Sequence, residues 1–127
     1  KYNINCVINC STDIPFFSNY SQNIRISVND NLENSEIDKM YHYLDKSSIL
    51  INKFLSKNKN VLVHCYAGKQ RSACVISAYL LKYTHMTPKD TILAIKSKRL
   101  ITFTPKINFD KAIKKYYQYI LETRSTK

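Results

Sequence analysis

The sequence predicts an α/β fold in which a central, mostly parallel sheet is flanked by helices. Short apolar segments that favour β-strands alternate along the chain with longer segments of helical periodicity. The 127 residues suffice for one domain with a hydrophobic core, and 44% hydrophobic and 23% charged residues are typical of a globular protein. Neither repeats nor low-complexity linkers divide the sequence, so we expect residues 1–127 to form a single domain.

Three segments are expected to form strands. Residues 4–9 (INCVIN) and 61–64 (VLVH) are short, continuous apolar runs of the kind found in buried strands. Residues 23–28 (NIRISV) alternate apolar and polar side chains, which indicates a strand with one buried face. Cys6 and Cys10 are an even number of residues apart, so an extended backbone places both thiols on the same face.

The first helix is predicted by apolar residues that recur every 3–4 positions between residues 37 and 55. Ser35 is its candidate N-cap, with Asp38 three residues further on. Ser47 and Ser48 weaken the middle of this pattern. A polar connection rich in turn residues (NDNLENSE) separates the helix from the second strand.

Three more helices are expected after the third strand. The first of them runs from about residue 72 to residue 83. The segment TPKD (residues 87–90) is a strong helix start, with a Thr cap, Pro at the first helical position and Asp in the first turn, and its helix reaches about residue 99. Pro105 interrupts the following apolar segment, and the last helix is predicted to open at Asn108.

The chain is strongly basic. It contains 20 Lys and Arg residues against 9 Asp and Glu residues, which gives a formal net charge of +11. Such an excess favours anionic partners, namely nucleic acid, anionic lipid or phosphorylated substrates. The lysines are spread along the chain, with mild clusters at residues 53–59 and 96–99, so a solvated basic surface is the competing interpretation.

The sequence indicates a soluble, cytoplasmic protein without a membrane span. No segment approaches the roughly 18 apolar residues of a membrane helix, and the N-terminal residues lack the apolar region of a signal peptide. The four cysteines show no CxxC pair or zinc-ribbon spacing and the three histidines are scattered, so free thiols, no metal site and no cofactor are expected. The abundance of Asn, Lys and Ile suggests an AT-rich genome, such as that of a large DNA virus or a protist. For a virus the location would be the host cell or the virion.

One stretch, residues 61–73 (VLVHCYAGKQRSA), combines a cysteine, an arginine and the chain's only glycine. A strand that ends at His64 and a helix that begins near Ser72 leave a loop that enters a helix N-terminus. The backbone N–H groups of such a loop point inward and form a nest for a tetrahedral anion. Gly68 suits this loop because the chain must turn tightly and a glycine adopts positive φ without strain.

Cys65 and Arg71 give this nest its chemistry. The inward N–H groups, the helix dipole and Arg71 would all favour the thiolate of Cys65, which is a nucleophile beside a bound phosphate. The planar guanidinium of Arg71 offers two parallel N–H donors to phosphoryl oxygens. The alternative is a buried core cysteine, a surface arginine and a plain turn that share a stretch by accident.

The residues HCYAGKQRS match the HCxxGxxR[ST] signature of the cysteine-based protein phosphatases, and the order of elements resembles the small dual-specificity phosphatases. Among these phosphatases the chain resembles the poxviral and MAP-kinase-phosphatase catalytic domains. This resemblance runs from about residue 4 to residue 120. It implies the cysteine-phosphatase fold, with the phosphate-binding loop between a strand and a helix. The chain begins almost directly at the first strand, where members of the family usually have about two further short elements, so either the protein is minimal or those elements lie outside this sequence.

The resemblance implies a two-step mechanism. Cys65 attacks phosphorus and forms a cysteinyl-phosphate, Arg71 holds the phosphoryl oxygens, and Ser72 hydrogen-bonds the sulfur and helps it leave. His64 resembles the signature histidine that orients the loop and keeps the cysteine acidic. The phosphate-binding positions are the loop amides of Tyr66, Ala67, Gly68, Lys69, Gln70 and Arg71.

The family also requires an aspartic acid that protonates the leaving oxygen and later activates water. It lies on a loop after a strand, some thirty residues before the cysteine. Asp30 follows the second predicted strand in the matching context ND and is our candidate. Asp38 is the alternative, although its spacing indicates a residue in the first turn of a helix.

The substrate that the resemblance implies is a phosphorylated protein. The chain is too short for the extra loop that deepens the pocket of phosphotyrosine-specific relatives, so a shallow site for phosphotyrosine and phosphoserine/threonine is expected. Tyr66, Lys69 and Gln70 are the loop positions expected to face the substrate. Lys106 follows Pro105 where the family often has Asn, so the role of that Asn is unassigned.

Other polyanionic substrates remain open. CYAGKQR is similar to the CKAGKGR of phosphoinositide phosphatases, in which basic loop residues bind extra phosphates, but only Lys69 is present and Gln70 replaces the glycine that widens their pocket. RNA 5′ ends are a further alternative, as is a non-catalytic phosphate-binding module. Such modules have usually lost the Cys, the Arg or the acid, and here all three are present.

Overall fold

The computed structural model describes residues 3–16 and 21–125. The elements are the strands β1 (Ile4–Asn9), β2 (Gln22–Arg25) and β3 (Asn60–His64) and the helices α1 (Asn34–Leu55), α2 (Arg71–Tyr83), α3 (Pro88–Lys98) and α4 (Asp110–Ser125). The strands run parallel in the order β2-β1-β3. This parallel sheet flanked by helices confirms the predicted α/β class.

β1 lies at the centre of the sheet because both of its faces can be buried. Cys6, Ile8 and Cys10 share one face and are fully buried, as the alternation of the strand predicts. Burial of a side chain such as Ile8 contributes about 1.5–3 kcal/mol to stability. Asn9, on the opposite face, is also buried, and its amide donates to the Ile14 carbonyl over 2.8 Å.

β2 is shorter than predicted. It ends at Arg25, whereas the sequence pattern extends the strand to residue 28. The N–H of Ile26 still donates to the Asn9 carbonyl of β1 at 2.9 Å, but the next contact, from Val28 N–H to the Ile26 carbonyl at 3.0 Å, lies within the segment itself. Ile26 and Val28 are buried all the same. The alternation of apolar and polar residues therefore predicts correctly that these two side chains are buried. It does not show that their backbone has already left the sheet.

The helix starts differ from the predicted ones except at α3. Thr87 caps α3 in a reciprocal capping box with Asp90, as predicted. α1 begins at Asn34 with Glu33 at the N-cap position, so Ser35 is not its cap. Ser47 and Ser48 lie buried within α1 without interrupting it.

The other two helices begin close to the Cys65 region. α2 starts at Arg71, one residue before the predicted start. α4 starts at Asp110, two residues after Asn108, where the helix was predicted to open, and the backbone N–H of Asn108 donates to the side chain of Gln70. α2 packs against α1 and α4, which places its N-terminus at the carboxyl ends of β1 and β3. Among the described residues, none of the helices is long and apolar enough to cross a membrane.

Candidate active site

A loop of residues 65–70, here called the Cys65 loop, connects β3 to α2. β3 is anchored at its end, because the His64 carbonyl accepts a hydrogen bond of 2.7 Å from the Cys10 N–H that follows β1. His64 itself is half-buried. Gly68 adopts φ of 68°, the positive value expected for the turn of the loop. The loop therefore lies between the carboxyl end of β3 in the parallel sheet and the N-terminus of α2.

The thiol of Cys65 is buried and hydrogen-bonded to the first turn of α2. Its Sγ lies 3.3 Å from the Ser72 hydroxyl and 3.5 Å from the Ser72 N–H, which donates to it. Burial alone would raise the pKa of Cys65. The hydrogen bonds from the hydroxyl and N–H of Ser72 and from the N–H of Gly68, together with the charge of Arg71, outweigh that effect and lower the pKa below its ordinary value. The site therefore favours the thiolate.

Contrasting environments surround the other cysteines. All four are free thiols and all are buried. Burial raises the pKa of Cys10, to which the nearby Cys65 adds a smaller effect, and burial likewise raises the pKa of Cys6 and Cys74. Cys65 is the cysteine whose pKa is lowered, so thiolate chemistry belongs at this position.

Arg71 points one donor to the protein and leaves another without a protein acceptor. Its Nη1 donates to the Val28 carbonyl at 2.9 Å. Its Nε is buried and has no hydrogen-bond partner in the part of the chain that the structure describes. A buried donor without an acceptor is costly, and a phosphoryl oxygen in the nest of the loop would supply one.

The two candidate acids are placed in different regions. Asp30 lines a cleft of about 370 Å³ together with Cys65 and Arg71. Asp38 lies on an exposed part of α1, with its carboxylate 3.7 Å from Lys115 and 3.8 Å from His42. The structure therefore brings Asp30 to the thiol and the guanidinium, and does not bring Asp38 there.

The side chain of Gln70 is turned into the protein, although the residue also lines the cleft. It is only 4% exposed. Its Nε2 donates to the carbonyls of Thr104 and Lys106 at 3.1 and 2.7 Å, and its Oε1 accepts the N–H of Asn108 at 3.0 Å. A side-chain amide is needed inside because the irregular backbone of the 104–108 segment offers polar groups that no helix or sheet satisfies. Tyr66 is 82% exposed and lines the cleft together with Lys69, and that these two positions face a substrate stays a prediction.

Sequence reasoning missed three further side chains around the site. Asn108 donates from Nδ2 to Asp30 Oδ1 at 2.9 Å. Glu36 accepts the N–H of Asn29 at 2.8 Å, next to Asp30. Arg99 donates to the Ala67 carbonyl at 3.3 Å from outside the Cys65 loop. These partners are separated by up to 78 residues, so no local pattern connects them; the only signal in the sequence was an Asn two positions beyond the one expected after Pro105.

A second, larger cavity of about 510 Å³ lies beside the first. It shares Cys65, Tyr66 and Ala67 with the smaller cleft and extends over His64, Lys98 and Arg99 to a mainly apolar wall of Leu62, Val63, Ile76 and Ile95. We assign the reaction site to the smaller cleft, because that cleft joins the thiol to Asp30 and Arg71. Among residues 3–16 and 21–125, no group of three or more His, Cys, Asp or Glu side chains is arranged to hold a metal ion.

Comparisons with known proteins agree with this geometry. Residues 1–119 match the family described as dual specificity phosphatase, catalytic domain. The chain is 38% identical over 108 residues to human dual specificity protein phosphatase 16, covering 84% of the chain and 16% of that protein. It is 34% identical over 95 residues to protein 123R of Invertebrate iridescent virus 6, covering 75% of the chain and 66% of that protein. The chain thus spans less than two thirds of the length of these relatives.

The fold is shared with solved structures as well. Human DUSP28 superposes with a TM-score of 0.83 at 20% sequence identity, over 94% of this chain and 81% of that one. At this identity the likeness concerns the fold, and the family match over residues 1–119 adds the sequence evidence. The chain belongs to the dual specificity phosphatase catalytic-domain family.

Proposed function

We propose that this chain is a phosphatase that hydrolyses phosphotyrosine and phosphoserine/threonine in proteins through a cysteinyl-phosphate intermediate, with residues 1–127 as one catalytic domain. The observation that carries the proposal is a single cleft. It joins the Cys65 thiol, whose pKa is lowered, to Asp30 and to Arg71, whose buried Nε is without an acceptor among the described residues.

In the first step, Cys65 Sγ attacks phosphorus, so that the S–P bond forms while the bond to the leaving oxygen breaks. Asp30 transfers its proton to that oxygen, which departs as a tyrosine or serine/threonine hydroxyl. Arg71 and the N–H groups of the Cys65 loop hold the three remaining phosphoryl oxygens and stabilise the charge that they gain in the transition state.

In the second step, Asp30 is a carboxylate and takes a proton from water. The water oxygen forms a bond to phosphorus, and the S–P bond breaks to return the Cys65 thiolate. Ser72, whose hydroxyl lies 3.3 Å from the sulfur, donates a hydrogen bond to the departing thiolate. His64, half-buried at the end of β3, is proposed to orient the Cys65 loop from the strand side.

Protein substrates are favoured over other phosphates. Relatives with 33–38% identity, among them human dual specificity protein phosphatase 16 and yvh1 of Schizosaccharomyces pombe, are named as protein phosphatases. Tyr66 stands exposed at the cleft, where its ring can stack on a substrate. Lys69 is the one observation in favour of a phosphoinositide or an RNA 5′ end, and Gln70 does not assist it because its amide is turned inward. The free thiols favour the reducing cytoplasm, of the host cell if the source is viral.

Metal-free hydrolysis of p-nitrophenyl phosphate in the presence of EDTA is the first test, with Cys65→Ser expected to abolish turnover while phosphopeptide binding is retained. Asp30→Asn should lower turnover about 100-fold or more, as expected for loss of general acid catalysis. Asp38→Asn is the matched control and should leave turnover unchanged. Loss of activity on chelation, or turnover by Cys65→Ser, would contradict the cysteine mechanism.

The substrate class is tested by comparing kcat/KM for a phosphotyrosine peptide, a phosphothreonine peptide, a phosphoinositide and an RNA 5′-triphosphate under one set of conditions. The two peptides should be the better substrates. Faster turnover of the lipid or the RNA would keep the mechanism and replace the substrate.

A further inference from the structure

The segment of residues 103–108, here called the bracing segment, is bound to the Cys65 loop. The Phe103 N–H donates to the Lys69 carbonyl at 2.7 Å. Gln70 then uses both ends of its buried amide on the same segment, with two bonds to carbonyls and one from the Asn108 N–H. These four hydrogen bonds fix the bracing segment relative to the loop that holds Cys65, although the two are more than 30 residues apart.

The bracing segment ends at Asn108, which reaches Asp30. The Nδ2 of Asn108 donates to Asp30 Oδ1 at 2.9 Å, so one oxygen of the carboxyl group is occupied as an acceptor. An amide N–H needs an acceptor lone pair, and a protonated carboxyl group carries its hydrogen on one oxygen only. A protonated Asp30 would therefore carry its hydrogen on Oδ2, the oxygen that Asn108 does not occupy.

The backbone just before Asp30 is fixed by two other contacts. Arg71 Nη1 binds the Val28 carbonyl, and Glu36 accepts the Asn29 N–H. Asp30 itself is exposed, and its side chain would rotate freely on this backbone if nothing else held it. The contact from Asn108 selects one orientation of the carboxyl group.

We propose that Asn108 is a positioning residue for Asp30, and that Gln70 fixes the position of Asn108 relative to the loop that holds Cys65. The proposal rests on the proposed function, in which Asp30 is the general acid. Asn108 does not touch the reacting atoms. It acts by fixing where the acid presents its proton relative to the bound phosphate.

Leaving-group dependence distinguishes positioning of an acid from general support of the fold. Phenyl phosphate releases a basic phenolate that needs a proton, whereas 2,4-dinitrophenyl phosphate releases an anion that leaves without one. Asn108→Ala should lower kcat/KM for phenyl phosphate about 10-fold or more and that for 2,4-dinitrophenyl phosphate less than about 2-fold. The ratio kcat/KM is the quantity to measure, because it reports the step that forms the cysteinyl-phosphate.

Three further variants control for misfolding, for changes elsewhere in the bracing segment and for the presence of the acid. Asn108→Leu is close in size to the native side chain and cannot donate a hydrogen bond, so it should show the same selective loss even if Asn108→Ala folds poorly. Lys106→Ala lies on the same segment and keeps its backbone carbonyl, so it should resemble the wild type. In an Asp30→Asn background, Asn108→Ala should have no further effect on kcat/KM for phenyl phosphate, because the acid is already absent.

The two possible failures are distinguishable. Equal losses of kcat/KM on both substrates, or additive losses in the double variant, would overturn the positioning role while Cys65→Ser and Asp30→Asn still support the proposed function. If Asp30→Asn itself shows no preference between the two leaving groups, Asp30 is not the acid, and the positioning role fails with it.

Discussion

Gly68→Ala tests whether the Cys65 loop requires glycine. At φ of 68° an L-residue is strained, and the added Cβ would lie 2.8 Å from Nη1 of Arg99. The substitution therefore has two separable costs, one from the backbone conformation and one from the contact with the guanidinium. No other neighbour lies within 3.4 Å of the new atom.

The backbone cost is the larger. Alanine in the left-handed region costs about 1–2 kcal/mol relative to glycine. The contact with Arg99 is cheaper to relieve, because it involves the end of a flexible, exposed side chain that can move away. That movement breaks the 3.3 Å hydrogen bond to the Ala67 carbonyl, which at an exposed position contributes about 0.5 kcal/mol. The free energy of unfolding should therefore fall by about 1.5–2.5 kcal/mol.

Urea unfolding of Gly68→Ala, Arg99→Ala and the double variant separates the two costs. Gly68→Ala should remain destabilising in the Arg99→Ala background by about 1–2 kcal/mol, and the coupling between the two sites should be about 0.5 kcal/mol or less. The KM for aryl phosphates should rise in both Gly68→Ala variants, since the Gly68 N–H is one of the donors in the nest. A fully stable Gly68→Ala, or a cost that vanishes with Arg99→Ala, would refute the assignment to backbone strain.

Two pH-dependent predictions follow from the shifted groups. Iodoacetamide should inactivate the protein with a midpoint below that of an ordinary free thiol, because the pKa of Cys65 is lowered, and Ser72→Ala should move that midpoint upward. A midpoint at or above the free value in the wild type would contradict this. The N–H of Asn29 and the ammonium of Lys39 lower the pKa of Glu36. Its stabilising contribution is therefore complete above the unfolded pKa of about 4.3 and is lost as the pH falls through the folded pKa. Glu36→Gln should be less stable than the wild type at neutral pH, with a difference that shrinks in acid; a constant difference from pH 7 to pH 3 would exclude this linkage.

The parts of the fold that the sequence predicts well are those with local signals. The start of α3 follows from TPKD, because a capping box and a proline at the first helical position are complete within four residues. β1 and β3 follow from continuous apolar runs, and the Cys65 loop from a glycine and a helix start next to a buried strand. Each of these signals is read from neighbouring residues, and each element is where the signal predicts it.

The misplaced boundaries share a different cause. The pattern extends β2 to residue 28 because Ile26 and Val28 are buried, yet the strand ends at Arg25, before both of them. Alternation reports which side chains are covered and does not report which backbone groups are paired. α4 starts two residues later than predicted, and the segment before it is bound to Gln70, a residue 38 positions from Asn108, which no local pattern reports.

The same distinction explains which site residues were predictable. Cys65, Arg71 and Ser72 act through the loop in which they occur, so a contiguous motif contains them. Asp30 can be identified as the candidate acid from its position after a predicted strand alone. Asn108 and Gln70 have no such motif, because an amide side chain is ordinary at almost any surface position and acquires a role only through the partners that the fold brings to it.

The reaction requires a fixed distance between a proton donor and a bound phosphate, and this explains why so many side chains bridge the site. The segment around Asp30 lies beyond the end of β2, so no ladder of backbone hydrogen bonds holds it. Side chains perform that task instead, with Arg71 holding the backbone before Asp30 and Asn108 the carboxyl group itself. In the proposed mechanism Arg71 also holds the phosphoryl oxygens, so binding of phosphate and placement of the acid would depend on the same residue. Substitutions along these bridges should therefore lower kcat/KM for substrates with poor leaving groups more than they lower the stability of the fold.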